Sequence, residues 1–255
     1  GHAHTCAIDK DGAAKCWGSN ESGQVGNGNT SDKSALSQVS NLGSDVTAVS
    51  AGFNHTCALK KSGAVLCWGD NSTGQLGVSK NDPKLSNIPI EVQSLHSNVS
   101  AISAHNGFTC AIRSTGDPPT GELLCWGENI LGQIGEPKPK LYSHVPEPVP
   151  IKGSTGISAV STGNNHACVL TSTGTALCWG DFRHGRLGYE SNTAVLEPTR
   201  VDIDSTFAQI SAGYSHTCAI TSSGAARCWG QNSDGALGTE TKKNITKPEL
   251  VIDFQ

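Results

Sequence analysis

His216-Thr217-Cys218-Ala219-Ile220-Thr221-Ser222-Ser223-Gly224-Ala225-Ala226-Arg227-Cys228-Trp229-Gly230 decides the fold, because close copies of it recur five times in the 255 residues. The first cysteines fall at Cys6, Cys57, Cys110, Cys168 and Cys218, at spacings of 51, 53, 58 and 50 residues. The second cysteines, Cys16, Cys67, Cys125, Cys178 and Cys228, each precede a Trp-Gly pair. Self-similarity at such a period marks a repeat architecture. In repeat one, if Cys6 sits opposite Cys16, then Ile8 faces Ala14 and Lys10-Asp11-Gly12 forms a three-residue turn closed by a left-handed glycine. Facing residues on antiparallel strands lie about 4.5 to 5.5 Å apart at Cα, within the reach of a disulfide. Each such bridge contributes roughly 2 to 3 kcal/mol on a chain-entropy estimate. Repeat three lengthens its turn by five residues, through Asp117-Pro118-Pro119, and keeps its cysteines in step.

Working outward, a short run of small and β-branched residues precedes each later hairpin, as in Val46-Thr47-Ala48-Val49-Ser50-Ala51-Gly52. It reads as an inner strand packed on both faces. Downstream, Trp-Gly leads to turns ending at Gly26, Gly77, Gly135, Gly188 and Gly238, and then to a Pro-bearing stretch such as Glu197-Pro198-Thr199-Arg200-Val201. Proline is tolerated at sheet edges, so that stretch reads as an outer strand. Four short antiparallel strands repeated in series predict an all-β chain, a β-propeller of five blades with one disulfide per blade. An open solenoid is the competing arrangement. The chain reads as one domain, 1–255, with repeats centred on hairpins 4–18, 55–69, 108–127, 166–180 and 216–230.

These motifs, Ser-Ala-Gly, His-Thr-Cys-Ala-Leu, Cys-Trp-Gly and Gly-Gln-Leu-Gly, resemble the regulator-of-chromosome-condensation repeat. The resemblance implies a propeller fold. The family's namesake has seven blades and no need of disulfides, whereas this chain has five repeats with a cysteine pair in each. It therefore looks like the exported, cysteine-paired variety, and the resemblance carries fold rather than nuclear exchange activity.

Ten cysteines in five pairs favour disulfides over free thiols or zinc, since C-x9-C lacks the short knuckle of tetrahedral zinc sites. Disulfides place the protein in an oxidising compartment, that is secreted, periplasmic or at the cell surface. A net charge of −4 without a basic run argues against nucleic acid as a partner. No apolar run approaches the roughly 20 residues of a membrane helix, so no direct membrane insertion is expected. Residue 1 matches Gly213, so repeat one enters after its inner strand and tethering within a longer chain is expected. Lys15 and Arg227, where repeats two to four have Leu66, Leu124 and Leu177, read as marks of a distinctive seam.

Candidate chemistry is sparse. His4, His55, His166 and His216 recur two residues before a cysteine, with Phe108 in repeat three, and read as structural rather than as metal ligands. No nucleophile elbow, HExxH or phosphate loop is present, so neither enzyme activity nor a cofactor is expected. Asp70-Asn71 and Asp181 lack the dense oxygen loop of a calcium site. Departures from the repeat point instead to recognition of a protein or surface glycan by loops. Repeat four has Phe182, Arg183, His184 and Arg186 where the others place Asn at 182 and Gln or Ala at 186. Aromatic and arginine side chains are enriched at interface hot spots. Repeat three adds Lys138, Lys140 and Tyr142. The leading expectation is an extracellular binding or adhesion module. A secreted enzyme inhibitor, a polysaccharide hydrolase or lyase, and a guanine-nucleotide exchange factor follow in that order. Asn20, Asn29, Asn54, Asn71, Asn98 and Asn244 begin Asn-x-Ser/Thr sequons, relevant only with a eukaryotic secretory origin.

Overall fold

A computed structural model describes residues 1–32, 34–79, 83–116, 120–136, 140–152 and 156–252. Within them the chain forms nineteen strands and no α-helix. Repeat one supplies β1 (His4–Ile8), β2 (Ala14–Gly18) and β3 (Ser34–Gln38); repeat two supplies β4 (Val46–Ala51), β5 (His55–Lys60), β6 (Val65–Asp70) and β7 (Leu85–Glu91). Repeat three follows with β8 (Val99–His105), β9 (Phe108–Thr115), β10 (Thr120–Glu128) and β11 (Tyr142–Pro148). Repeat four has β12 (Ile157–Thr162), β13 (His166–Thr171), β14 (Ala176–Gly180) and β15 (Val195–Arg200). Repeat five ends with β16 (Phe207–Ala212), β17 (His216–Thr221), β18 (Ala226–Gly230) and β19 (Ile245–Leu250). Each repeat is one antiparallel meander, four-stranded except in repeat one. The first sheet has three strands and begins at β1, in line with repeat one entering after the inner-strand position.

The cysteine register is as the spacing predicts. Cys6 faces Cys16, Cys57 faces Cys67, Cys110 faces Cys125, Cys168 faces Cys178 and Cys218 faces Cys228. All five pairs are disulfide-bonded, with Cα atoms 4.1 Å apart. The Trp-Gly pair has a separate purpose. Pairing to the outer strand slips between Cys67 and Gly69, and Gly69 adopts φ +103°, with a hypothetical Cβ only 2.4 Å from the Asn54 carbonyl oxygen. Glycine is thus required at this bulge, and the bulge turns the preceding tryptophan onto the neighbouring sheet.

Tryptophan is the bolt between sheets. Trp68, Trp126, Trp179 and Trp229 are fully buried. Their Nε1 atoms donate to carbonyls of the preceding repeat, at Gln24 (2.9 Å), Gln75 (2.9 Å), Gln133 (3.0 Å) and Arg186 (3.0 Å). Close approach needs the glycine two residues further on, since a Cβ on Gly77 would lie 2.8 Å from Trp126 Nε1. Four apolar clusters fill the four successive sheet-to-sheet interfaces, so the core runs between sheets as a series of layers. Every interior layer buries an aromatic ring of the size that dominates core energetics.

No such bond joins the fifth sheet to the first among the described residues. Trp17 is 36% exposed and Thr5 is exposed, whereas their counterparts Trp68 and Thr56 are fully buried. Lys15 lies on this open side and pairs with Asp9 at 3.0 Å. Arg227 does not mark the seam. It faces Ala219, which belongs to the layer between sheets four and five, and it donates to the Pro248 carbonyl at 3.2 Å. The inner strands pack on both faces, as expected: in β4, Val49 lies on the layer toward sheet one and Ala48 on the layer toward sheet three, although only Val46 is fully buried.

Candidate binding face

At one end of every sheet the loop after the inner strand meets the loop after Trp-Gly. Gly69 approaches the Asn54 carbonyl, Gly127 that of Gly107 and Gly180 that of Asn165, so the two loops are locked together in each repeat. Under this face lie the repeated histidines. His4 Nε2 bonds Thr56 Oγ1 (2.8 Å), His55 bonds Thr109 (2.9 Å) and His166 bonds Thr217 (2.9 Å), each pair crossing between neighbouring sheets. The threonine hydroxyls donate in turn to the carbonyls of Gln24, Gln75 and Arg186. A hydroxyl has one proton to give, so the histidine Nε2–H is the donor and Nδ1 is left bare. Nδ1 of all three is buried without a hydrogen-bond partner. Burial lowers the pKa of His4 to about 4, and burial followed by charge repulsion lowers His55 and His166 to about 3. The imidazoles are neutral structural groups. In repeat three Phe108 takes the place of histidine and Ala167 that of threonine, both fully buried in one apolar cluster. Among the described residues no group of three or more His, Cys, Asp or Glu side chains is arranged to hold a metal.

The loops after Trp-Gly share one brace. The side-chain oxygens of Asn20, Asn71, Asn129 and Asn232 accept from the backbone N–H five residues on, at 3.0 to 3.2 Å. This buries Asn20 and Asn71, two of the sequon asparagines. Repeat four has Phe182 here, which cannot accept, and the loop is held by charge instead. Asp181 pairs with Arg183 (2.8 Å) and with Arg186 (3.0 Å). Burial pushes the Asp181 carboxyl upward, but the two guanidiniums outweigh it and hold its pKa below the usual value. Arg186 is only 3% exposed, so it braces the loop from beneath, where Gln75 hydrogen-bonds Asp70 in repeat two. The surface expected of the set Phe182, Arg183, His184 and Arg186 is therefore presented by the first three. Phe182 is half-buried on the apolar layer, while Arg183 and His184 are exposed. His184 stands at φ +62° and accepts from Asn244 Nδ2 at 3.1 Å. These side chains border a cavity of about 520 Å³, and a second cavity of about 590 Å³ shares Tyr189 and Glu190 with it.

Repeat three's candidates lie apart from this patch. Lys140 bridges Glu136 (3.1 Å) and Glu147 (3.3 Å), and Tyr142 meets His144 edge-on. Lys138 falls outside the described residues, as does the Asp117-Pro118-Pro119 tip. Among the described residues no hydrogen bond or ion pair links Lys140 or Tyr142 to the repeat-four loop.

One feature of this face was not singled out from sequence. The position after each inner glycine or its equivalent, His2, Phe53, Asn106, Asn164 and Tyr214, contributes from every repeat to one cavity of about 330 Å³. Tyr214 is 62% and Phe53 40% exposed, and Phe53 stacks on His2 with centroids 4.2 Å apart. Asn164 lies in the loop whose next residue, Asn165, accepts from the Asp181 N–H at 2.8 Å, so the cavity and the repeat-four loop share one face. The available signal was variation itself: His, Phe, Asn, Asn and Tyr follow a position that is glycine in four of the five repeats.

The family model of the RCC1-like domain matches residues 1–255. This chain belongs to that family. The RCC1-like domain is 32% identical over 211 residues to the human probable E3 ubiquitin-protein ligase HERC6, a match covering 79% of this chain and 20% of HERC6. Among solved structures, human WBSCR16 superposes with TM-score 0.86 at 22% identity, over 98% of this chain and 65% of that one. Yeast RCC1 (Prp20), in a structure with Kap60 bound, gives TM-score 0.83 at 19% identity, over 98% of this chain and 59% of that one. The RCC1-like domain thus spans a fifth of HERC6 and about three fifths of Prp20.

Proposed function

We propose that the RCC1-like domain is a protein-binding module of the extracellular side, built as five propeller blades, with Phe182, Arg183 and His184 at the centre of its contact surface. The observation that carries this reading is the repeat-four loop. It is the one loop of its kind in which the asparagine brace is replaced by an aromatic, and it sets the exposed Arg183 guanidinium and His184 imidazole beside a 520 Å³ cavity. A rigid frame that fixes a divergent loop is the usual arrangement for recognition. Five cystines support an oxidising compartment. Protein binding is also what Prp20 displays in its structure with Kap60. A purely non-catalytic role fits the carboxylates of this face. Burial raises the Glu128 pKa, yet its hydrogen-bond partners are the amides Asn106 and Gln133, and Asp181 is ion-paired.

The test is to screen the oxidised protein against displayed secreted and surface proteins and to measure the partner's affinity for Arg183→Ala and His184→Ala. Each substitution is expected to weaken binding by roughly tenfold, the scale of an interface hot spot, with the melting temperature unchanged. Equal affinity in both variants overturns the assignment of the surface. If the partner is an enzyme that loses activity on binding, the module acts as an inhibitor.

A further inference from the structure

Independently of the protein-binding surface, we propose that the cavity shared by all five repeats is a second recognition site, for a neutral pyranose sugar. Phe53 and Tyr214 expose aromatic faces from repeats two and five, with His105, Asn106 and Asn164 between them. None of the lining side chains is a carboxylate, lysine or arginine. Burial lowers the His105 pKa, so its ring is neutral at ordinary pH.

The polar atoms there are largely uncommitted. Asn106 Nδ2 is held by Glu128 (3.2 Å) and Asn165 (3.0 Å), which fixes the amide and leaves its oxygen without a bond among the described residues. The Asn164 amide, the Tyr214 hydroxyl and the His105 ring nitrogens likewise make no side-chain hydrogen bond among the described residues. Donors, acceptors and flat apolar rings therefore converge on one volume with no charged side chain, and burial disfavours the charged form of the Gly1 amino group at its edge.

That combination discriminates among ligand classes. A phosphate or carboxylate is best held by a guanidinium or a lysine, and neither lines the cavity, while burial disfavours the charged form of the Gly1 amino group. An ammonium or guanidinium would gain from the aromatic faces but has no lining carboxylate to complete its solvation. A purely apolar ligand would leave the amides unpaired. A neutral pyranose satisfies all of them at once: one C–H face lies on an aromatic ring, and its hydroxyls both donate to and accept from asparagine amides. The volume of about 330 Å³ sits at the small end of ordinary ligand sites, roughly 300 to 1,000 Å³, which suits a terminal sugar rather than a long chain.

The experiment uses saturation-transfer NMR and calorimetry on the oxidised protein, with a panel of neutral methyl hexosides and N-acetylhexosaminides, and with glucuronic and sialic acids as the charged arm. At least one neutral glycoside should bind at millimolar concentration, and the acids should not. Tyr214→Ala and Asn164→Ala are expected to weaken it by roughly tenfold each, with melting unchanged. Arg183→Ala should leave it unaltered, which separates this site from the protein-binding surface. A free sugar and a glycan end are told apart by repeating the titration with a short oligosaccharide bearing the same terminal residue. The proposal is overturned if no neutral glycoside binds, if the charged arm binds better, or if the wild-type affinity survives in both variants.

Discussion

Lowering the pH from 7 to 5 should remove a large share of this protein's stability, and the interface histidines set how much. His4 titrates at about 4 in the folded chain, and His55 and His166 at about 3. The same side chain titrates near 6.5 when unfolded. Because the folded pKa is the lower one, the unfolded state takes up protons first. The stabilisation is complete above about pH 6.5 and drains away as the pH falls toward the folded value. At pH 5 the unfolded imidazole is about 1.5 units below its pKa while the folded one is still neutral. At roughly 1.4 kcal/mol per unit this is about 2 kcal/mol per histidine, or about 6 kcal/mol for three, against the 5 to 15 kcal/mol of an ordinary domain. The chain contains its own control, since Phe108 and Ala167 replace histidine and threonine in the third layer. The paired substitution His55→Phe with Thr109→Ala copies that solution into the second layer. Urea unfolding at pH 7, 6 and 5 is expected to show a loss of stability about 2 kcal/mol smaller than in the parent. His105 and His216 are lowered in the same direction but are present in both proteins, and Asp9 and Asp181 titrate below this window. Parallel pH profiles for the two proteins would refute the reasoning.

Two further outcomes follow from the layers. Arg186→Ala strips the buried Asp181 of one partner and should cost about 3 kcal/mol, whereas Arg186→Gln reproduces the Gln75–Asp70 contact and should cost less than half of that in urea unfolding. Trp17 is the one tryptophan with substantial exposure, so Trp17→Phe should abolish most of the acrylamide-quenchable fluorescence. Undiminished quenching would mean that the open side is covered in solution.

The hairpins were legible because their chemistry is local. A ten-residue separation, a glycine at the turn and a cysteine at each end leave one register, and Cys218 faces Cys228 in it. Repeat three shows the same point, since its longer turn changes the separation to fifteen residues without moving the pair out of register. What crosses between sheets was not legible in the same way. Arg186 and Gln24 look alike as loop residues, yet the carbonyl of each anchors a tryptophan from the next repeat more than forty positions away. Nothing local marks Arg186 as buried; its partner Asp181 does so only once the loop folds back. The aromatic cavity was hidden for the same reason. His2, Phe53, Asn106, Asn164 and Tyr214 are about fifty residues apart and become neighbours only when the sheets are stacked.

The distribution of bonds also explains where this chain can vary. Each cystine ties two strands of one sheet, while each tryptophan–carbonyl and histidine–threonine contact ties one sheet to the next. Both kinds of bond use positions whose side chains point into a layer, and there the repeats change only in matched pairs, as Phe108 does with Ala167. The residue after the inner glycine belongs to neither set. Phe53 is tied through its backbone, its N–H donating to the Asn106 carbonyl at 2.9 Å, so the ring above is free to be aromatic, amide or imidazole without disturbing the stack. A frame stapled within sheets and bolted between them therefore leaves one position per repeat open around a common cavity, and variation there changes the cavity's lining at little cost in stability.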